Sequence, residues 1–400
     1  MNDRVRATAH TDVPVHMDGR KATWFELFFD LVFVVAVAQL TGAFSHHYDW
    51  EGAGVFVFGL LVVWWCWLGQ TFFATRFDED LPGQRRLGLV QILAVAWMAY
   101  GATELSHGRA WVFASGVAAF KLLLACAYGM GWRKWHGARG LIRTYAAVYC
   151  VQAILWAGSL TLPTQARWLL WSLALILDQA TPWLVARYTH ALPPHPEHLP
   201  ERFGLFTIIL LGEGMASTVH ALDHGPALTA NALFAALGAA LLTFMIWIGY
   251  FDRVRAQRER EVMDRHAGRD LRLWAYAHVP LYLGLAALAA GTVHAAGLDT
   301  LSRSSQWIFV GGTTSVMLGL TLLGAASTPD PGHRLRRAAP HALVAALFIA
   351  AAGGVCITNP AVLFLAGAGV FVVQLSMARL VPRTDRQNQA IRPHKPQNKK

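Results

Sequence analysis

The stretch WFELFFDLVFVVAVAQLTGAF, residues 24–44, decides the fold. Apart from Glu26, Asp30, Gln39 and Thr41 it is apolar or glycine. About 20 such residues cross a bilayer as a helix. Eleven further runs resemble it, over 53–73, 87–105, 110–130, 142–160, 168–188, 203–220, 228–251, 272–296, 305–326, 340–357 and 361–378. The composition agrees. Of 400 residues, 55% are hydrophobic and 14% charged, against about 25% charged in a soluble domain. That charge is too sparse to coat soluble domains, and the apolar content excludes disorder for most of the chain. The expected fold is therefore all-α: a polytopic integral membrane protein of about twelve transmembrane helices. The leader ahead of residue 24 is polar and contains Asp3, Asp12 and Asp18. With Glu26 and Asp30 inside the run, this does not suit a cleaved signal peptide, so the first helix is read as retained.

The basic excess, 34 Lys and Arg against 24 Asp and Glu, sorts by side. Alternating the connections places thirty of the 34 on the side of the N-terminus, and only Arg109, Arg167 and Arg303 on the other; Lys121 lies within a run. By the positive-inside rule both termini are cytoplasmic. The four cysteines, Cys66, Cys126, Cys150 and Cys356, all fall in apolar runs without a C-x-x-C pair, which reads as small buried hydrophobes rather than a disulfide or metal framework.

HALPPHPEHLP, residues 190–200, holds four prolines and bars a continuous helix. It divides the chain into a leader (1–23), a first six-helix half (24–188), a Pro-rich cytoplasmic linker (189–202), a second six-helix half (203–378) and a basic, disordered tail (379–400). The halves echo one another. Glu26-Leu27-Phe28 matches Glu201-Arg202-Phe203, Trp67-Leu68-Gly69 matches Trp247-Ile248-Gly249, and Trp111-Val112-Phe113 with Gly116 matches Trp307-Ile308-Phe309 with Gly312. Two six-helix pseudo-repeats in one orientation follow, related by an axis along the membrane normal. The stretch 252–272, with seven Arg among five acids, reads as a charged cytoplasmic extension near lipid headgroups. No nucleic-acid module accompanies it or the tail.

Ionisable groups inside a bilayer are costly and mark function or helix orientation. Lys121, Asp178 and Glu213 each lie about ten residues into their runs, near mid-depth at about 1.5 Å per residue. One cation and two carboxylates at one depth make a buried pair with an acid to spare, or a structural network that Gln152 joins. Glu213 sits between Gly212 and Gly214, as in the broken helices of transporter sites or in tight helix packing. Glu26 and Asp30, four apart, share a helix face. They attract a cation or proton, or pair with arginines of neighbouring helices. His278, ahead of Pro280, is a proton relay or a packing histidine. His46, His47, His107, His220, His224 and His294 gather on the outer side without metal-ligand spacing. His190, His195 and His198 fall in the Pro-rich segment and read as loop residues. Walker A, G-x-S-x-G and HExxH motifs are missing, so neither an enzyme nor an ATP-driven pump is expected, and no cofactor or metal.

The block Trp24-Phe25-Glu26-Leu27-Phe28-Phe29-Asp30-Leu31-Val32-Phe33-Val34 resembles the opening of the bacterial low temperature requirement A proteins. Glu201-Arg202-Phe203-Gly204-Leu205-Phe206-Thr207-Ile208-Ile209-Leu210-Leu211-Gly212-Glu213, Tyr250-Phe251-Asp252 and Tyr276-Ala277-His278-Val279-Pro280-Leu281 resemble its later blocks, in family order. The resemblance implies a plasma-membrane protein linked to growth at low temperature, with Glu26, Asp30, Glu201, Arg202, Glu213, Tyr250, Asp252 and His278 as motif positions. A more distant resemblance is to six-plus-six-helix endosomal and lysosomal potassium channels, whose repeats open on R-x-x-x-F-S-D. Phe28 and Asp30 keep that Phe and Asp, while Trp24 and Phe29 depart from it.

The expected function is a secondary transporter or permease using Asp30, Lys121, Asp178, Glu213 and His278 for proton or cation coupling, around a polar cavity at mid-depth between the halves. The alternatives are a cation channel lined by the first span, or a non-transporting membrane protein needed in the cold. Membrane lipids and a small-molecule or ion substrate are the expected partners; the oligomeric state stays open. Reporter fusions check the topology. Alkaline phosphatase is expected to be active after Arg109, Arg167 or Arg303 and silent after Lys134 or Arg258, and the opposite pattern would invert the assignment.

Overall fold

A computed structural model describes residues 23–77, 83–105, 108–195, 197–223, 228–258, 267–326, 331–355 and 357–380. The leader (Thr23 apart), the tail beyond residue 380, His107, His224, Cys356 and the middle of the charged stretch 252–272 lie outside the described residues. Among those described there is no strand, and the α-helices are α1 (Trp24–His46), α2 (Trp50–Ala74), α3 (Gln84–Ala102), α4 (Trp111–Met130), α5 (Arg139–Gly158), α6 (Thr164–Leu184), α7 (His198–Asp223), α8 (Ala230–Arg258), α9 (Ala267–His294), α10 (Arg303–Ala326), α11 (Pro331–Gly354) and α12 (Pro360–Leu380).

Nine of these are long and apolar enough to cross a membrane. The three that fall short carry polar residues: α3 opens on Gln84-Arg85-Arg86, α6 contains Arg167 and Asp178, and the apolar part of α11 is confined to Ala338–Ala352. Most helices are apolar around much of their girth, as expected where the outer face meets lipid rather than water. Trp24, Phe28, Leu31 and Val35 of α1 and Leu89, Leu93 and Trp97 of α3 are exposed in this way. Cys66 is buried as expected. Cys126 and Cys150 are not: they sit on the outward faces of α4 and α5, since an apolar run does not say which face turns inward.

The helix starts follow from local chemistry. Thr23 and Glu26 form a capping box on α1. Thr23 Oγ1 accepts from the Glu26 N–H at 3.2 Å, and Glu26 Oε2 accepts from the Thr23 N–H at 2.8 Å. Asp49 caps α2 through the Gly52 N–H at 2.8 Å. The Pro-rich segment differs from its expected form. It is shorter, because α7 already begins at His198 and takes Pro200 into its first turn, where a missing N–H is harmless. His195 Nδ1 accepts from the backbone N–H groups of Glu197 and His198 at 3.3 and 3.2 Å, and so caps the helix with an imidazole. The segment is tied to the end of α2. The His195 N–H donates to the Thr75 carbonyl at 3.0 Å, and Arg76 Nε donates to the Leu192 carbonyl at 3.1 Å.

The helices on the two sides of the Pro-rich segment have the following neighbours. In the first half α1 touches α2 and α3, α3 touches α4, α4 touches α5, α5 touches α6, and α2 touches α4 and α6. In the second, α7 touches α8 and α9, α9 touches α10, α10 touches α11, α11 touches α12, and α8 touches α10 and α12. Between the halves, α1 and α2 lie against α7 and α9. Glycines let α3 approach α4 and α9 approach α10. A β-carbon on Gly116 would lie 2.8 Å from the Met98 backbone, and one on Gly284 would lie 2.5 Å from the Gly312 carbonyl oxygen and 2.7 Å from the Val316 nitrogen. Close approach of this kind is how apolar helices gain packing in lipid. Gly284→Ala is therefore expected to destabilise the protein by about 1–3 kcal/mol through overpacking, read as a lower unfolding temperature in detergent. Gly311→Ala, with nothing within 4 Å of its β-carbon, serves as the neutral control.

Candidate functional site

The connections at one end of the bundle, where α1 begins, carry most of the Lys and Arg; we call it the basic end. There α1 and α7 bring their charged residues together. Arg202 forms a buried ion pair with Asp30: its Nη2 bonds Oδ1, and its Nε donates to Oδ2 at 3.2 Å. Trp67 of α2 adds an Nε1–H bond to Asp30 Oδ1 at 2.8 Å. One turn earlier, His198 Nε2 lies 3.2 Å from Glu26 Oε2. Glu26, Asp30, His198 and Arg202 are all 1% exposed or less. Glu26 and Asp30 are four residues apart, and so are His198 and Arg202. Both helices thus present two groups one turn apart, and the pairing Glu26–His198 with Asp30–Arg202 makes the two helices parallel. Phe203 and Phe206 close over Trp67, with ring centres 4.9 and 4.3 Å away.

A second buried pair lies wholly within the first half. Lys121 Nζ of α4 bonds Asp178 Oδ1 of α6 at 2.6 Å. The ammonium also lies 5.4 Å from the centre of the Tyr149 ring and beside Cys66, while Gln152 borders the carboxylate. This is a charge-assisted bond between fully buried groups, and it ties α4 to α6 against α2 and α5.

Glu213 does not join them. It is half-buried on α7, about 16 Å along the helix from Arg202 at 1.5 Å per residue. Among the described residues it makes no ion pair. The three groups thus stand as a buried pair with an acid to spare, the pair being Lys121 and Asp178. His278 is fully buried against Phe203, Trp274 and Tyr282. Its Nδ1–H donates to the Trp274 carbonyl at 2.9 Å, which leaves Nε2 to accept from the Tyr250 hydroxyl at 3.2 Å. Glu201 is half-buried in the first turn of α7, where a carboxylate favours the helix dipole. Asp252 is exposed on α8.

At the opposite end α1 is held by neutral groups. His294 of α9 donates from Nδ1 to the Ser45 carbonyl at 3.2 Å and accepts at Nε2 from Ser305 at 3.1 Å. Tyr48 stacks on its ring at 4.8 Å. A cavity of about 10 Å³ lies among α7, α8, α9 and α12, lined by Leu211, Gly214, Thr243, Leu285, Thr292 and Phe364, and is not the expected cavity between halves. A larger one, about 130 Å³, lies beyond it toward the end opposite the basic one, shares Thr292 and Phe364, and adds Thr229, Asn231 and Asp299.

With this geometry in hand, the comparisons are specific. Residues 21–377 match the model of the bacterial low temperature requirement A protein (LtrA) family. The chain belongs to that family. It is also 27% identical, over 287 residues, to an uncharacterized protein of Rhizobium meliloti (strain 1021), covering 68% of this chain and 69% of the relative. No solved structure matches. Of the charged motif positions, Glu26, Asp30 and Arg202 meet at the α1–α7 junction, whereas Glu213 lies further along α7 and Asp252 is exposed on α8.

Sequence reading missed His198, Trp67 and Arg76. The prolines masked His198 as a loop residue, and nothing in a single sequence marks which tryptophan donates to a carboxylate. The buried pair sets a clear energetic expectation. Asp30→Asn leaves Arg202 without its counter-charge and should destabilise by about 3–5 kcal/mol, whereas Asp30→Leu with Arg202→Met should recover most of that loss. Thermal unfolding of the three variants in detergent checks it; a double variant as unstable as Asp30→Asn would refute the pairing.

Proposed function

We propose that this LtrA protein is a secondary transporter of the bacterial plasma membrane, moving a small molecule or ion with proton or cation coupling and supporting growth at low temperature. It has twelve membrane helices in two six-helix halves, with the basic end and both termini in the cytoplasm. The observation that carries this reading is the buried charge at the α1–α7 junction, the seam along which two rocking halves must part. The Glu26–His198 and Asp30–Arg202 pairs act as the cytoplasmic gate. With that gate shut and the larger cavity at the other end, the described conformation faces outward.

The repeated order of helix neighbours, the parallel course of α1 and α7, and the glycine-mediated α3–α4 and α9–α10 contacts support two halves of like build. The less apolar α3, α6 and α11 cross as parts of the bundle, shielded by their neighbours. Glu213, half-buried and without an ion pair among the described residues, is the coupling carboxylate; a lone acid in a span is free to take up a proton. Lys121 and Asp178 hold the first half rigid. A channel lined by α1 is the second reading. The inward face of α1 is filled by Phe29, Phe33, Leu40 and Phe44, which favours the transporter.

Metabolite profiles of a deletion strain grown warm and cold supply the test substrate. In proteoliposomes, Glu213→Gln is expected to abolish uptake driven by a pH gradient while leaving insertion intact. Uptake by that variant at the normal rate would sink the coupling role, and single-channel currents in planar bilayers would establish the channel instead.

A further inference from the structure

Near the basic end, away from the charged junction, three glutamines surround a cavity of about 20 Å³ among α1, α2, α3 and α4. Gln70 comes from α2, and Gln84 and Gln91 from α3; Phe25, Phe73 and Gly88 complete the wall. The three glutamines are 6%, 7% and 2% exposed. Two of their oxygens, Gln70 Oε1 and Gln84 Oε1, and two of their nitrogens, Gln84 Nε2 and Gln91 Nε2, have no hydrogen-bond partner among the described residues. A buried polar atom left in this state costs about 1–3 kcal/mol. Four such atoms around one small space require a common explanation.

We propose that Gln70, Gln84 and Gln91 form a binding site for a single ordered water molecule. The stoichiometry fits, because water donates two hydrogen bonds and accepts two, and the site offers two acceptors and two donors. Interchanging the ends of any amide alters the roles but still presents both donors and acceptors. The size fits as well. One water needs about 10–15 Å³ of such space, so the cavity admits it and excludes an organic solute. A divalent cation would lack its carboxylate ligands. A monovalent cation would need every amide oxygen turned inward, which strands the amide N–H groups, and the lining Arg85 opposes it. Water here links α2 to α3, which have little direct packing between them.

In the second half the corresponding position bonds a side chain directly. Matching Trp67-Leu68-Gly69 to Trp247-Ile248-Gly249 places Gln70 opposite Tyr250. Tyr250 bonds His278 directly, and Phe203 and Trp274 fill the space around them. This comparison uses the repeat; the site itself stands on its own cavity and amides, independent of any transport activity.

Radiolytic hydroxyl-radical labelling marks side chains beside bound water. In the full-length protein in lipid nanodiscs, Phe73, 5% exposed, should be labelled several-fold more than its neighbour Phe72, 8% exposed. Gln91→Leu should bring Phe73 down to the Phe72 level while exposed Trp24 stays unchanged. An experimental map at better than 2.5 Å should show one peak within hydrogen-bonding distance of all three amides. Equal labelling of Phe73 and Phe72 in the native protein, an empty cavity in such a map, or an anomalous peak there after rubidium exchange would each overturn the proposal. The native labelling ratio decides the matter even if Gln91→Leu fails to insert.

Discussion

The rest of the molecule depends on the contact between Asp30 and Arg202. In hydrocarbon a lone charge costs roughly 2.5–3.5 kcal/mol on insertion scales, so α1 is seated where α7 supplies a guanidinium. The companion pair one turn earlier removes the remaining freedom. If α1 slid by one turn, Glu26 would meet Arg202, and Asp30 and His198 would both lose their partners. Two pairs at matched spacing therefore fix depth, rotation and direction together. The parallel course that results requires an even number of crossings between the starts of α1 and α7, which is the parity that two six-helix halves supply.

Much of this was legible in the chain, and the boundary of legibility has a physical cause. Apolar length is a one-dimensional property, so the positions of α1 to α12 follow from it closely. Depth is also one-dimensional, and counting residues placed Lys121, Asp178 and Glu213 at one level. Lateral position is not one-dimensional. Lys121 finds Asp178 because α4 and α6 both flank α5 and α2, while Glu213 sits on α7, which touches neither α4 nor α6 closely. The same limit hid His198. Four prolines mark the end of regular structure, but they do not say where the next helix starts. Imidazole capping by His195 lets α7 begin five residues earlier than the apolar run, and that first turn is what carries His198 to Glu26. Arg202 was legible as a motif position and as a possible partner of the α1 acids, though not as the partner of Asp30 in particular.

The two ends of α1 are held by different chemistry. At the basic end the Asp30–Arg202 bond is between charges, with the Glu26 carboxylate beside His198, all buried and closed over by Phe203, Phe206 and Trp67. At the other end they are neutral: a histidine between a carbonyl and a serine hydroxyl, with a tyrosine stacked on it. Breaking the first set strands charges in a low-dielectric setting, and only water entering the seam relieves that penalty. Breaking the second leaves neutral groups that water at the membrane surface satisfies at once. On the transport reading proposed above, the neutral end is the one that opens at little expense, and the charged end opens only when water or counter-charges reach both members of each pair. Neutralising Asp30 alone does not meet that condition, because it strands Arg202 just as Asp30→Asn does. The pairs that fix the register of the helices are therefore also the ones that hold this end shut.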